Sequence, residues 1–288
     1  MPSLATIRQE ILKQVPGAFL GTAGTSSATQ LEDTDDEQTL FTGDGGIDFT
    51  GYWLLRPDAA VAADRVRRIT FHDRNQGVIK PSRAWTNAPT SETYELWPPE
   101  FRPADVDSAV NRALGELPYL VEEDITVSSL DNEYTISYSW LTHERQVLEV
   151  YWKYTNSSLV SREEYPWWKV FPDSGVFKLM LDPPPSSATG NSVLLEGKAY
   201  YASLATDAAT TDCPLEWITA KGLVTVLEDK QAGGTGQDVS RWSIQVVNAR
   251  KQLFKMTKKY APRRGRRMMW RTPTRSAGSR VRRGEFYY

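Results

Sequence analysis

The stretch "DVSRWSIQVVNARKQLFKMTKKY", residues 238–260, decides how this chain is read. Its apolar positions are Val239, Trp242, Val246, Ala249, Leu253, Met256 and Tyr260, spaced 3, 4, 3, 4, 3 and 4 residues apart. That alternation keeps one side of an α-helix apolar along its length, which predicts a long helix with a seam to bury. A coiled coil and a single helix packed in a bundle both satisfy the pattern, and the bundle is the plainer reading. Val239, Trp242, Val246, Leu253 and Met256 are the candidate residues for helix packing or oligomer contact. Pro262 ends the helix, because it has no N–H to continue the ladder.

Working back from this helix, three more are expected. Asp212 and Pro214 supply a cap and a first-turn proline, and Leu215, Ile218, Gly222 and Val226 then share a side until Gly233 and Gly234. Gly222 costs about 1 kcal/mol against alanine in a helix interior, which suggests either close approach of another backbone or a neutral accident. Earlier, Pro103 suits a first helical position and Asp105 and Asp107 suit the positive helix start. Val106, Val110, Ala113, Leu114 and Leu117 form that helix's stripe, and Pro118 stops it. At the start, Ser3 can cap a helix carrying Leu4, Ile7, Ile11 and Val15 on one face, with Pro16 and Gly17 beyond it.

Between the helices the pattern changes to short runs rich in aromatic and β-branched residues. In 18–98 these are "YWLLR" (52–56), "RRITFH" (67–72), "GVIK" (77–80) and "TYELW" (93–97), with "DRNQG" (73–77) as a turn. In 119–202 they are "EYTISYSW" (133–140), "VLEVYWKY" (147–154), "WWKV" (167–170), "GVFKLMLD" (175–182) and "SVLLEGKAYYA" (192–202). Five or six strands with no helices between them cannot make a parallel sheet, so antiparallel modules are expected. The fold class is α+β: a core of about four helices with two inserted antiparallel β modules, and an extended C-terminal tail. The segments are an N-terminal helix (1–17), a small β-barrel or sandwich (18–98), a core helix (99–118), a β-sandwich insertion (119–202), core helices (203–260) and a basic arm (261–288).

No function class requiring a catalytic motif is favoured. There is no GxSxG elbow, no HExxH, and neither of the common glycine-rich phosphate loops. His72 and His143 are the only histidines, and both read as structural or solvent-facing. "DTDDEQ" fails as a calcium loop because Gln38 stands where glycine must turn the chain. "GDGGID" (43–48) reads as a plain Gly/Asp turn. Glu122, Glu123 and Asp124 are adjacent, and adjacent residues of a strand point to opposite faces, so they make a poor acid–base couple. Cys213 is the only cysteine, which rules out an internal disulfide and a cysteine-built zinc site. No cofactor, metal or enzyme activity is expected. No run is long and apolar enough for a membrane span, and the start lacks a signal-peptide pattern, so an intracellular product is expected. The aromatic residues Trp140, Tyr151, Trp152, Tyr154, Trp167 and Trp168 read first as packing of a Trp-rich sandwich, with a sugar-stacking face as the alternative.

The tail differs from everything before it. From Arg250 to Tyr288 there are fourteen Lys and Arg against one acid, Glu285, a net +13; residues 1–249 hold twenty bases and thirty-five acids, a net −15. The segment after Ala261 buries too little apolar surface to offset an ordering cost of about 1–2 kcal/mol per residue, so it cannot fold alone. Yet it carries Trp270, Phe286, Tyr287 and Tyr288 among arginines, a combination typical of interface anchors.

Two stretches carry a family resemblance: "TGYWLLRPDAAVAADRVRRITFHDRNQGVIKPSRAWTNAPTSETYELW" (50–97) with the helix "ADVDSAVNRALGEL" (104–117), and "GKAYYASLATDAATTDCPLEWITAKGLVTVLED" (197–229). Together they resemble head–tail connector, or adaptor, proteins of tailed bacteriophages. The resemblance implies a non-enzymatic virion protein, made in the host cytoplasm, forming a ring, usually dodecameric, between portal and tail. It also implies an arm that docks on the portal, with Arg263, Arg264, Arg266, Arg267, Arg271 and Arg275 pairing with acids and Trp270, Phe286, Tyr287 and Tyr288 filling pockets. The implied partners are other copies of the chain, the portal and a tail or neck protein, with no membrane. Two alternatives stand: sequence-independent binding of DNA in the neck channel, and a tail-located glycan-binding sandwich.

Overall fold

The computed structural model describes residues 1–24, 26–32, 47–73, 78–127, 131–156, 159–185, 192–233 and 237–261. They form an α+β fold with four α-helices and several antiparallel sheets, one of them a half-barrel. Helix α1 spans Leu4–Leu12, and the Ser3 hydroxyl accepts the Thr6 N–H at 3.2 Å. It stops short of Pro16: Gln14 and Val15 donate to Ile11 and Leu12, tightening the chain into a turn.

Strands β1 (Phe19–Thr22), β2 (Leu31–Glu32), β3 (Trp53–Leu55), β4 (Val66–Asp73), β5 (Val78–Pro81) and β6 (Thr93–Trp97) form one six-stranded sheet, ordered β1-β6-β3-β4-β5-β2. Its two ends curl toward each other, and the Gly24 N–H donates to the Glu32 carbonyl at 2.7 Å. Leu31, Phe49, Leu54, Ile69, Ile79, Trp85, Tyr94 and Leu96 fill the concave side. Most of the expected turn at 73–77, and the "DTDDEQ" segment (33–38), lie outside the described residues.

Helix α2 (Pro103–Glu116) begins with its proline in the first turn and leads straight into β7 (Pro118–Thr126). β8 (Glu133–Ile136), β9 (Val147–Asn156), β10 (Leu159–Glu164), β11 (Trp167–Asp173), β12 (Val176–Asp182) and β13 (Ser192–Tyr200) follow. They build a four-stranded sheet, β10-β9-β13-β7, and a three-stranded sheet, β11-β12-β8. Residues from both sheets share one core, including Ile125, Ile136, Val150, Trp152, Leu179 and Val193. Among the described residues the insertion therefore has seven strands, where five or six were expected. β7 and β10 were not anticipated, and the run at 133–140 leaves the sheet after Ile136.

A glycine shapes one corner of this module. The β13–β9 register shifts between Glu196 and Gly197, and the Trp140 ring lies over Gly197. A Cβ at residue 197 would stand 2.2 Å from the Trp140 ring. Trp140 is held in turn by a parallel Tyr138 ring at 6.0 Å and by its carbonyl, which accepts from Gln146 at 3.0 Å. A rigid indole cannot yield as a flexible side-chain tip can. Gly197→Ala should lower stability by about 1–3 kcal/mol, read as the urea midpoint. An unchanged midpoint would show that the ring swings away freely.

Helices α3 (Leu215–Gly233) and α4 (Gln237–Tyr260) complete the helical core. α3 is central: it packs against α1, α2 and α4, and Trp217, Ile218, Ala220, Gly222, Leu223, Val224, Val226 and Leu227 are all buried. At Gly222 the close neighbours are side chains, Ile11 Cδ1 at 2.9 Å and Val110 Cγ2 at 3.5 Å from an added Cβ, rather than the backbone expected. The half-barrel is bound to this core by a buried ion cluster. Arg8 Nε donates to Glu95 at 3.0 Å, and its Nη1 donates to Asp107 and Asp207, each at 2.9 Å.

Candidate interaction surface

The seam expected along 238–260 turns inward. Trp242, Val246 and Ala249 are buried in the chain's own helical core, and Leu253, Met256 and Tyr260 pack against it. Trp242 meets Phe101 edge-on at 5.2 Å. The Val239 side chain lies outside the described residues. These residues are thus used to fasten α4 to its own chain.

Polar contacts along the same side fix the helix lengthwise. Gln231 donates to the Ser243 hydroxyl at 3.0 Å, and Arg250 donates to Glu228 at 2.9 Å. At the last turn, Trp217 Nε1 donates to the Thr257 hydroxyl at 3.3 Å while its ring stacks on Tyr260 at 6.2 Å. Glu216 accepts from Lys259 at 2.8 Å and from the Tyr260 hydroxyl at 2.9 Å, and these bonds hold its carboxyl below the usual range. Ala261 still donates to the Thr257 carbonyl at 2.9 Å. The end of α4, where the arm begins, is therefore anchored. Arg263, Arg264, Arg266, Arg267, Trp270, Arg271, Arg275, Phe286, Tyr287 and Tyr288 lie outside the described residues.

The opposite face of α4 carries a second stripe. Ile244 is 69 % exposed, Val247 49 % and Phe254 61 %. Lys251, Lys255 and Lys258 are exposed among them, and Lys258 Nζ sits 4.2 Å over the Phe254 ring. Positions 244, 247, 251, 254 and 258 repeat at helical spacing about half a turn from the buried seam. Sequence reasoning passed over this stripe. Its signal was three large apolar residues that the seam does not use.

A second distinctive surface lies on the outward face of the four-stranded sheet. Glu122, Glu196 and Glu149 stand side by side across β7, β13 and β9. Like charges directly opposite each other destabilise a sheet. Partial burial, and then Glu149 and Glu122, push the Glu196 carboxyl upward. Arg162 relieves the row by reaching Glu122 with two bonds of 2.8 and 2.9 Å, and Tyr151 donates to Glu149. Asp124, which pairs with Lys153, and Glu164 extend the face; Lys198 lies within it over the Tyr200 ring, and Leu120 and Tyr200, 41 % and 40 % exposed, end it.

The remaining candidates resolve into structural roles. Buried His72 accepts the Phe49 N–H at Nδ1 over 3.4 Å, and His143 caps a short turn by accepting from Arg145 N–H at 3.1 Å. Burial pushes the Cys213 thiol up to about 12, which keeps it protonated. The suspected aromatic platform is dispersed. Trp152 is in the sandwich core, Trp140 covers Gly197, Tyr151 lies on the acidic face, and Trp167 is exposed on the other sheet. The Tyr154 side chain lies outside the described residues. An open cleft of about 220 Å³ between α2 and α3 is lined by charges that pair with each other, Arg112 with Asp229 and Lys230 with Asp105. Among the described residues no group of His, Cys, Asp and Glu could hold a metal, and no helix is long and apolar enough to cross a membrane.

No protein-family model matches the chain, and no curated protein matches it.

Proposed function

We propose that the chain is a non-enzymatic structural subunit of a tailed-phage neck, an adaptor whose copies form a ring between portal and tail and whose C-terminal arm docks on the portal. One observation carries this reading: a segment with nine arginines and one acid after Ala261 leaves from a helix end that the chain holds firmly in place. A fixed base and an arm that cannot bury itself suit a segment ordered by a neighbour. Arginine pairs with carboxylates in a planar fork, and the aromatic residues of the arm give it apolar anchors. Repetition around a ring turns weak single contacts into strong collective attachment.

Deleting residues 262–288 tests the reading. Particles assembled with the truncated chain should lack tails or leak DNA, and the truncated protein should no longer be captured by purified portal. Normal tailed particles would refute portal docking. If the arm instead served DNA, full-length protein would retard duplex DNA in a gel with steep salt dependence, and the truncated chain would not.

A further inference from the structure

We propose that the outward face of α4 on one copy packs against the acidic outer sheet face of a second copy, in a head-to-tail contact. This deepens the ring reading and rests on it for closure, but the two surfaces are properties of the described residues alone.

The α4 face combines Ile244, Val247 and Phe254 with Lys251, Lys255 and Lys258. Its composition selects its occupant. The arm of the same or another copy is excluded by charge, because nine arginines would be brought against three lysines. Nucleic acid would suit the lysines but would leave the three apolar side chains uncovered. A surface that is acidic and partly apolar answers both. The β10-β9-β13-β7 sheet offers one: a Glu122–Glu196–Glu149 row with Asp124 and Glu164 beside it, net acidic although Arg162, Lys153 and Lys198 share the face, and with Leu120 and Tyr200 at its edge.

The row is also unexplained by folding. Three carboxylates in direct cross-strand register cost stability, and only Glu122 receives an arginine fork. Local conflicts of this kind are expected where a surface serves a partner. Lysines brought in by another copy would neutralise the row and let the flanking apolar groups meet. Because the two faces are different surfaces, the contact is heterologous. Such contacts propagate and close into rings when the rotation allows.

The test uses full-length protein in sedimentation velocity. Wild type should form assemblies that weaken as salt rises, since exposed charges are screened beyond about 10 Å at 0.1 M. The variants K251E/K255E and E149K/E196K should each associate at least about tenfold more weakly, with unchanged far-UV circular dichroism. The chain carrying all four reversals should regain assembly, because the charges again oppose. The truncated chain 1–261 should assemble like wild type. Wild-type assembly by either double variant would overturn the proposal, as would failure of the quadruple variant to recover. Assembly lost on truncation but kept in the double variants would place self-association in the arm. That result would overturn this interface and leave the ring reading standing. A wild type that stays monomeric at every concentration, yet is captured by portal through its arm, would overturn the interface without touching portal docking.

Discussion

Replacing Arg8 with alanine is expected to remove about 3–5 kcal/mol of stability, the usual result of breaking a buried ion cluster by deleting one partner. Arg8 is completely buried and serves three carboxylates from three different segments: Glu95 on β6, Asp107 on α2 and Asp207 after β13. Glu95 is equally buried, and its other bond comes from Trp97 Nε1 at 2.9 Å. Burial opposes the charge on Arg8, but Glu95, Asp207 and Asp107 more than restore it and keep the guanidinium firmly protonated. Burial pushes the Glu95 and Asp107 carboxyls up, with Arg8 pulling against it. Burial also opposes ionisation of Asp207, yet Arg8 and Arg65 together hold its carboxyl below the usual range. Without Arg8, the Glu95 and Asp107 carboxyls should rise further, and the Asp207 carboxyl should rise from its lowered position. A native carboxyl raised above its unfolded value favours folding at low pH and loses that contribution as pH rises through the native value. The deficit of Arg8→Ala should therefore be largest near neutrality and shrink on acidification toward about pH 4, where unfolded carboxylates titrate. In wild type, the lowered Asp207 contributes stability above its unfolded value that is lost as pH falls through the native one. Arg8→Lys keeps the charge but not the fork and should lie between. Urea titrations at pH 7 and pH 4.5 check both the size and the pH trend. A deficit below about 1 kcal/mol at neutral pH would mean that water takes over the role of the guanidinium.

That cluster marks where sequence reading stopped. Arg8 lies 87, 99 and 199 residues from its partners, and no local pattern announces such pairings. Helix ends were legible because caps act locally: Ser3 and Pro103 stand where their chemistry predicts. The seam of α4 was legible because only one side of that helix is buried. α3 was harder, since a helix apolar on nearly all sides shows little periodicity, and its Gly222 was read as facing a backbone when it faces Ile11. Among strands, β7 escaped because Glu122, Glu123 and Asp124 break its apolar alternation, and β2 because a two-residue strand has no period to detect. The same acids were dismissed as a poor catalytic couple. Their alignment with Glu149 and Glu196 appears only once β9 and β13 are placed beside them. The exposed stripe of α4 was visible as apolar letters off the seam, but the sequence alone does not tell whether the same chain covers that second face.

Trp217→Ala should be the second large loss, again about 3–5 kcal/mol, because a fully buried indole leaves a cavity that its neighbours fill only in part. Its position makes the loss informative. Trp217 lies early in α3, where that helix meets the end of α4, and it supports α4 through the Thr257 hydroxyl and the Tyr260 ring. The neighbouring Glu216 holds Lys259 and Tyr260 from the solvent side, where a bond between exposed groups adds little by itself. The indole is therefore the principal support of the last turn. Removing it should destabilise the whole helical core and, beyond that, speed amide exchange at 256–261 more than at Val246 or Ala249. Trp217→Phe should keep most of the packing and lose only the bond to Thr257, costing about 0.5–1.5 kcal/mol from that bond plus a smaller cavity. If the arm works from a rigid base, Trp217→Ala assayed below its unfolding transition should also weaken capture by portal, while Trp217→Phe should not. Equal exchange along α4 in the alanine variant would show that the last turn is held by its own backbone bonds, and the arm would then need no anchored root.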